Sequence, residues 1–308
     1  MADIQLRFHK DMLVLSAPID YALSQQGVDM ETQAEYVSLV EPETMRDALR
    51  LHAVAGAQCL VAPTEGLTQA RLAHKRMEDR ASELAQAAIE HVLYCAPQHL
   101  ICELGSCGLP LDASSDASRK QNIAQYENAV QTLVQAAAVA GGSANSAPID
   151  AILLTSMRSA GELQCAIEGT RKAFGGPVFA TVNVDNQGNF NGKPLDQAFE
   201  ALAAADVAGI RSAAAPKAIA QQVSQLAAAV QVPIMVEIDI TQPTAAQKRR
   251  ASLGAPLPDA PYALPDFLAD AALELRAAGA QFLRVVGQAT PAYTGALAAG
   301  VFGLDAIR

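Results

Sequence analysis

Apolar residues gather in eight short runs along the chain, at 12–16, 58–62, 100–104, 149–154, 177–184, 207–211, 233–238 and 281–286. Each is too short for a helix and too continuously apolar for a strand with one wet face, which is how strands buried on both sides of a parallel sheet read. Stretches of helical length separate them. Glu41-Pro42-Glu43 opens one that runs to Ala55, with Pro in its first turn and acid at its positive end, and Gly56 closes it. Others are expected up to Tyr94, where Pro97 follows, and at 119–140, 160–174, 195–205, 216–230 and 264–278, with a last one from Pro291. The polar segment 24–40 is too weakly periodic to assign.

Eight strand and helix alternations over one chain predict a single-domain α/β fold, the (β/α)8 TIM barrel. The Gly-rich connector 141–146 resembles a domain linker, but the alternation resumes at once beyond it. An open doubly wound sheet is the competing arrangement. Its nucleotide-binding forms need a glycine-rich phosphate loop after a strand, and no run here is followed by one. Two segments break the rhythm: a turn-rich insertion at 185–194, and a Pro-punctuated loop at 240–263 that reads as a lid.

Composition narrows the function. Hydrophobic residues make up 51% of the 308, aromatics 5%, and Trp is absent, as in a soluble chain with a small-aliphatic core. The net charge of -10 argues against nucleic acid or an anionic membrane as partner and leaves a small-molecule ligand. The first ten residues lack a signal peptide's apolar middle, and no run approaches bilayer length, so the expected location is the cytoplasm. Five cysteines without paired spacing are expected reduced. Cys59 and Cys102 read as small core hydrophobes, whereas Cys107, just past a strand end, reads as a candidate reactive thiol. His52, His74 and His91 fall on helices among polar residues and read as surface groups.

The active site of such a barrel gathers at the C-terminal ends of its strands. There the sequence offers Ser16 and Asp20, Thr64 and Glu65, Ser106 and Cys107, Thr155 and Ser156, Asn183 and Asp185, Arg211 and Ser212, Glu237 and Asp239, and Arg284 and Gln288. Alternate residues face opposite sides of a strand, so only some of these point into the pocket.

Four pieces of the chain stand out by their order and spacing: Pro42-Glu43 followed by 52–60 (His-Ala-Val-Ala-Gly-Ala-Gln-Cys-Leu), the stretch 150–167, Val184-Asp185 with Gly188 and Gly192, and Ala278-Gly279-Ala280 with Thr290-Pro291. In that order they resemble the second, fourth, fifth and last units of the homocysteine S-methyltransferase family, the barrel of betaine-dependent enzymes and of the first module of cobalamin-dependent methionine synthase.

The resemblance implies a zinc ion held by three cysteines, which keeps the homocysteine sulfur as a thiolate. The chain departs from that pattern. Ser212, or Ala213 in the alternative count, stands where the sixth strand's cysteine belongs, and Val286 and Gly287 stand where the adjacent pair belongs. Two carboxylates that would hold the substrate's ammonium correspond to the segments 16–21 and 155–156, where Ser16 and Thr155 carry hydroxyls.

No residue pattern therefore binds a cofactor or metal directly. Arg211 and Arg284 appear instead at the ends of the sixth and eighth strands. They either clamp a carboxylate or phosphate or pair with Glu237 and Asp239 between them. The ligand-binding candidates are Ser16, Thr64, Thr155, Arg211, Ser212, Glu237 and Arg284, with no catalytic residue assigned. Lys248-Arg249-Arg250 is either a solvated run or part of a closing loop. The expected function is a methyltransferase-family protein for a small anionic methyl donor or acceptor, with the methyl group carried by a corrinoid or folate on a partner protein. The alternatives are a non-catalytic binding or scaffolding barrel, and a hydrolase or lyase built on Cys107 or on Glu237 and Asp239.

Overall fold

The computed structural model describes residues 4–28, 34–142, 149–254, 261–262 and 264–305. Eight parallel strands close into a barrel: β1 (Leu13–Leu15), β2 (Cys59–Ala62), β3 (His99–Leu104), β4 (Ala151–Met157), β5 (Val178–Asn183), β6 (Val207–Ser212), β7 (Ile234–Ile240) and β8 (Ala280–Gly287). Each strand pairs with the next in the chain, and β8 returns to pair with β1 at Leu15 and Arg284.

The continuous apolar runs have a simple cause, because successive side chains point alternately into the barrel and under the helices. Leu13, Leu15, Ile101, Leu153, Phe179 and Phe282 form the interior cluster. Val14, Leu60, Cys102, Ile152 and Leu283, one step away, join the larger cluster beneath the helices. The 3-10 turn Ile4–Arg7 and the following Phe8 close the N-terminal end. There the rings of Phe179 and Phe282 meet edge to face at 4.8 Å, and Phe8 lies 5.8 Å from Phe282.

The helices start where the sequence signals them. Pro42–Val54 and Pro216–Ala229 carry Pro in the first turn, and Ala160–Ala173 is capped by Ser159, whose side chain accepts from the Glu162 N–H. The helix expected at 119–140 begins earlier, as Asp116–Ala140, because Ser115 caps it. No helix among the described residues is long and apolar enough to cross a membrane.

The structure adds to or corrects four of these readings. The unassigned segment 24–40 contains the helix Ala34–Val40, whose buried face includes Glu35 and Ser38 and so lacks a hydrophobic signature. The insertion 185–194 forms a hairpin, Asn189–Phe190 against Lys193–Pro194, turned by Asn191 and Gly192, both with positive φ. Within 240–263 a helix, Ala245–Ser252, is fixed by a capping box of Thr244 and Gln247 and buries none of its residues. The rest of that expected lid, at 255–260 and 263, lies outside the described residues, as does 143–146 of the connector. Finally, His52 and His91 are buried, and only His74 is exposed. Polar sequence neighbours gave no sign of the helices that cover them. His52 Nδ1 lies 2.9 Å from Thr294 Oγ1, and burial, helped by the positive Arg284, lowers its pKa to about 4. His91 Nε2 lies 2.8 Å from the Ser38 carbonyl.

Candidate functional site

The barrel interior changes character along its axis. Below it is hydrocarbon, and toward the C-terminal ends the inward positions become Glu103 on β3, Thr155 on β4, Thr181 on β5, Glu237 on β7 and Arg284 on β8. Arg284 is 1% exposed and is the hub. Its Nη1 donates to Glu103 Oε2 at 2.7 Å and to Glu237 Oε1 at 3.0 Å, and its Nε donates to the Ser16 carbonyl at 2.9 Å. Burial works against its charge, yet the two carboxylates hold its pKa above the ordinary value. Nη2 is buried and has no hydrogen-bond partner, an uncommon state for an interior donor.

Glu237 is completely enclosed. Its Oε2 accepts from Thr181 Oγ1 at 2.6 Å and Thr155 Oγ1 at 3.1 Å. Thr181 reaches it from two strands away because Gly209 stands between them on β6. A Cβ there would meet the Met235 carbonyl at 2.5 Å and Thr181 Cγ2 at 3.0 Å. Glu103 is anchored by its backbone, with its N–H donating to Thr64 Oγ1 at 3.0 Å and its carbonyl accepting from the same hydroxyl at 2.8 Å. Burial raises the Glu103 pKa to about 7. Arg284 opposes that shift, while Glu65 and Glu237 add to it.

More acids surround the mouth near β1 and β2. Asp20, on the helix Asp20–Gln25, and Glu35 both have raised pKa values, chiefly through burial, and Glu35 reaches about 7. Glu35 accepts a hydrogen bond from the Gly66 N–H. Glu65 adds repulsion to both and pairs with Arg71 at 3.1 Å. At the end of β4, the sheet register slips between Leu154 and Met157, and Ser156 adopts φ +58°. Such bulges and left-handed non-Gly residues concentrate at functional rims.

A separate cleft of about 610 Å³ opens over the ends of β5, β6 and β7, lined by Asn183, Asp185, Arg211, Ser212 and Asp239 among others. Arg211 Nη2 and Nε both donate to Asp239 Oδ2, at 2.7 and 2.9 Å. Burial opposes the Arg211 charge, and Asp239 together with Glu237 more than restores it. Gly287 closes in beside this pair with φ +70°, where a Cβ would fall 2.2 Å from Asp239 Oδ1.

The candidates thus separate into two places. Arg284 and Glu237 share the inner network with Thr155, and Ser16 and Thr64 serve its frame. Ser16 supplies a carbonyl to Arg284 while its hydroxyl accepts from the Val61 N–H at 2.9 Å. Arg211 and Ser212 belong to the rim cleft. Both arginines form ion pairs with the acids of β7, Arg284 with Glu237 and Arg211 with Asp239.

Cys107, expected as an accessible thiol, is buried: burial pushes its pKa up, and Sγ donates to Asn122 Oδ1 at 3.2 Å. Beside it Glu162 accepts from Ser106 Oγ at 2.7 Å and from Tyr126 OH at 3.1 Å, which ties the loop after β3 to the next two helices. Glu103 and Glu35 escape a sequence reading at strand ends. For Glu103 a signal exists, an acid inside the apolar run 100–104 at the same parity as the inward Ile101. Glu35 has none. Among the described residues, no group of three or more His, Cys, Asp or Glu is arranged to hold a metal ion.

A family model described as homocysteine S-methyltransferase matches residues 14–287. No curated protein matches the chain in sequence. Among solved structures, the homocysteine methyltransferase MmuM from Escherichia coli superposes in its oxidized form with a TM-score of 0.73 at 17% identity, covering 94% of this chain and 96% of that one. Its metallated form gives 0.68 at the same identity and coverage. The carboxyl transferase domain of Rhizobium etli pyruvate carboxylase gives 0.51 at 11% identity, covering 92% of this chain and 42% of that one. At these identities the superpositions speak for the barrel alone.

Proposed function

The chain belongs to the homocysteine S-methyltransferase family, and from that premise we propose that it binds a small methyl donor or acceptor at the barrel mouth and handles it without zinc. The observation that carries this reading is Arg284 Nη2, a buried donor with no protein partner, which can donate to one ligand carboxylate oxygen. Arg211 is committed to Asp239, so the grip on an anion rests on one guanidinium and not on two. The surrounding acids Asp20, Glu35 and Glu65 favour a ligand with a single negative charge over a dicarboxylate or phosphate.

The residues present do not fit zinc. Val286 and Gly287 offer no donor atom, Ser212 offers one hydroxyl, and Arg211 brings a cation to the same rim. A cysteine at 287 would collide with Asp239. No step is therefore routed through a metal. In this reading the methyl group comes from a small donor, or from a corrinoid or folate held by a partner protein. Five free cysteines favour a reducing compartment, the cytoplasm.

The second reading, a barrel that binds or scaffolds without catalysis, draws on the enclosure of Glu237 and Arg284, whose charges largely satisfy each other. Metal analysis and calorimetry with homocysteine, betaines, methylfolates and small mono- and dicarboxylates separate the two. We expect zinc-free protein to bind a monocarboxylate ligand, with binding lost in Arg284→Lys and kept in an Arg211→Ala, Asp239→Ala double variant. Stoichiometric zinc on strand-end side chains would sink the metal-free reading. Failure of every compound to bind favours the scaffold.

A further inference from the structure

We propose that a second binding site lies on the flank of the barrel, in the groove between the hairpin after β5 and the helix Pro216–Ala229, and that it takes a neutral polyhydroxylated ring such as a monosaccharide unit. The site is separate from the mouth and does not depend on the ligand reading above.

The groove encloses about 660 Å³. One wall is the turn 186–189 with Pro194, the start of the 3-10 turn Leu195–Ala198 and Phe199, and the other is the helix. On that helix Ile219, Gln222, Val223 and Leu226 are buried. They fall at i, i+3, i+4 and i+7, so position 222 belongs to the stripe that faces the core, where an apolar residue is expected. Gln222 is 5% exposed and lines the groove. Its Nε2 donates to the Asp185 carbonyl at 3.3 Å, which fixes the amide's orientation, because its oxygen would repel that carbonyl. Oε1 is left buried with no partner. An unpaired interior acceptor costs stability that a leucine at this position would not. A ligand hydroxyl that donates to Oε1 removes the cost.

The rest of the lining selects the ligand. Asn186, Gln187, Gln221 and Gln225 bring further amides, all exposed, to the same space. Each offers a donor and an acceptor side by side, and neighbouring hydroxyls on a ring, which both donate and accept, match that pairing. The half-buried Phe199 supplies an aromatic surface for the ring's C–H face. Neither Lys nor Arg lines the groove, which argues against phosphates and carboxylates. Its one charged side chain, Asp196, is exposed and gives a cation little beyond a screened contact. An extended peptide is recognised along an open strand edge, whereas these walls are turn and helix.

The test titrates the isotopically labelled full chain with the methyl glycosides of glucose, galactose and ribose, beside ethylammonium, glycylglycine and inorganic phosphate. The Gln222 side-chain amide and the Phe199 ring are followed by NMR. We expect a glycoside to shift both signals at millimolar concentration and phosphate to shift neither. Gln222→Met removes the acceptor at similar volume, and the Asp185 carbonyl keeps its bond from the Gly188 N–H. The variant should therefore unfold at the same temperature or higher while glycoside affinity falls roughly tenfold. A purely structural amide predicts the reverse, stability lost and binding unchanged. Phe199→Leu keeps an apolar side chain, removes the ring and should also weaken binding, which keeps the proposal falsifiable if Gln222→Met does not fold. The proposal is overturned if no glycoside shifts these signals, if affinity is undiminished in the variants, or if ethylammonium or glycylglycine binds in place of the glycosides.

Discussion

Phe282 and Arg284 stand two residues apart on β8 and point into the same barrel, the first among Phe179, Phe8 and Met235, the second among Glu103, Glu237 and the Ser16 carbonyl. The lower ring needs only volume, and hydrocarbon of any suitable shape fills it. The upper ring places three ionisable groups out of water. There the attraction within the network offsets desolvation only while every partner is present. One half of the interior is built for stability and tolerates change gradually. The other is held for some different purpose, and losing any one member exposes the cost of the rest.

Arg284→Met breaks this comparison most directly. It leaves Glu103 and Glu237 buried without a counterion, and we expect about 3–5 kcal/mol lost in urea unfolding. The loss should shrink below pH 7, where Glu103 takes a proton. Adding Glu103→Gln and Glu237→Gln to Arg284→Met removes the buried charges together and should recover much of that loss. If it does not, the upper ring is a stability device and the contrast fails. Phe282→Ala is the matching change below. It opens a cavity in the aromatic closure and should cost about 3 kcal/mol, with no dependence on pH between 5 and 8.

The lower ring was legible in the sequence, and the upper one only in part. Eight apolar runs place eight strands to within a few residues because burial on both faces demands nonpolar side chains at every position. That same rule marks Arg284, Glu237 and Glu103 as exceptions inside their runs, but it does not say that they meet, since they come from β8, β7 and β3. Register and closure bring them together, and neither is local. Gly209 illustrates the gap. Its missing side chain lets Thr181 touch Glu237 across β6, a contact no spacing along the chain announces. Glu35 is hidden more deeply, on a short helix without apolar periodicity.

Acidity gives a further way to sharpen the contrast. Folding raises the pKa of Glu35 and Glu103 from 4.5 to about 7. Between those values the folded chain binds protons that the unfolded chain has released. Their contribution to stability is therefore present below about pH 4.5 and is lost as pH rises through 7. His52 works oppositely, its pKa lowered from 6.5 to about 4, so its contribution holds above 6.5 and is lost as pH falls through 4. Urea unfolding at a series of pH values should show Glu35→Gln and Glu103→Gln each flattening the decline between pH 5 and 7. An unchanged slope in both would mean that these acids are solvated as the unfolded chain's are.

The rim pair supplies the smallest effect and the cleanest control. Arg211 and Asp239 make a two-pronged contact at 2.7 and 2.9 Å, but their side chains are 26% and 23% exposed. Water and salt screen such a pair, and exposed pairs contribute about 0–1 kcal/mol. Arg211→Ala should therefore cost little, and less in high salt, unlike Arg284→Met, whose partners are sealed from solvent. The control has a second use. Gly287 is held to glycine by its positive φ and by the nearness of Asp239 and of the Ile240 carbonyl, so shortening Asp239 to Ala removes one of the three obstacles to a side chain at 287. Gly287→Ala alone should destabilise clearly, and Asp239→Ala should reduce but not abolish that loss, because the Ile240 carbonyl at 2.8 Å and the backbone conformation remain. If Gly287→Ala costs the same with and without Asp239, the acid does not press on β8 and the ion pair has no part in shaping the rim.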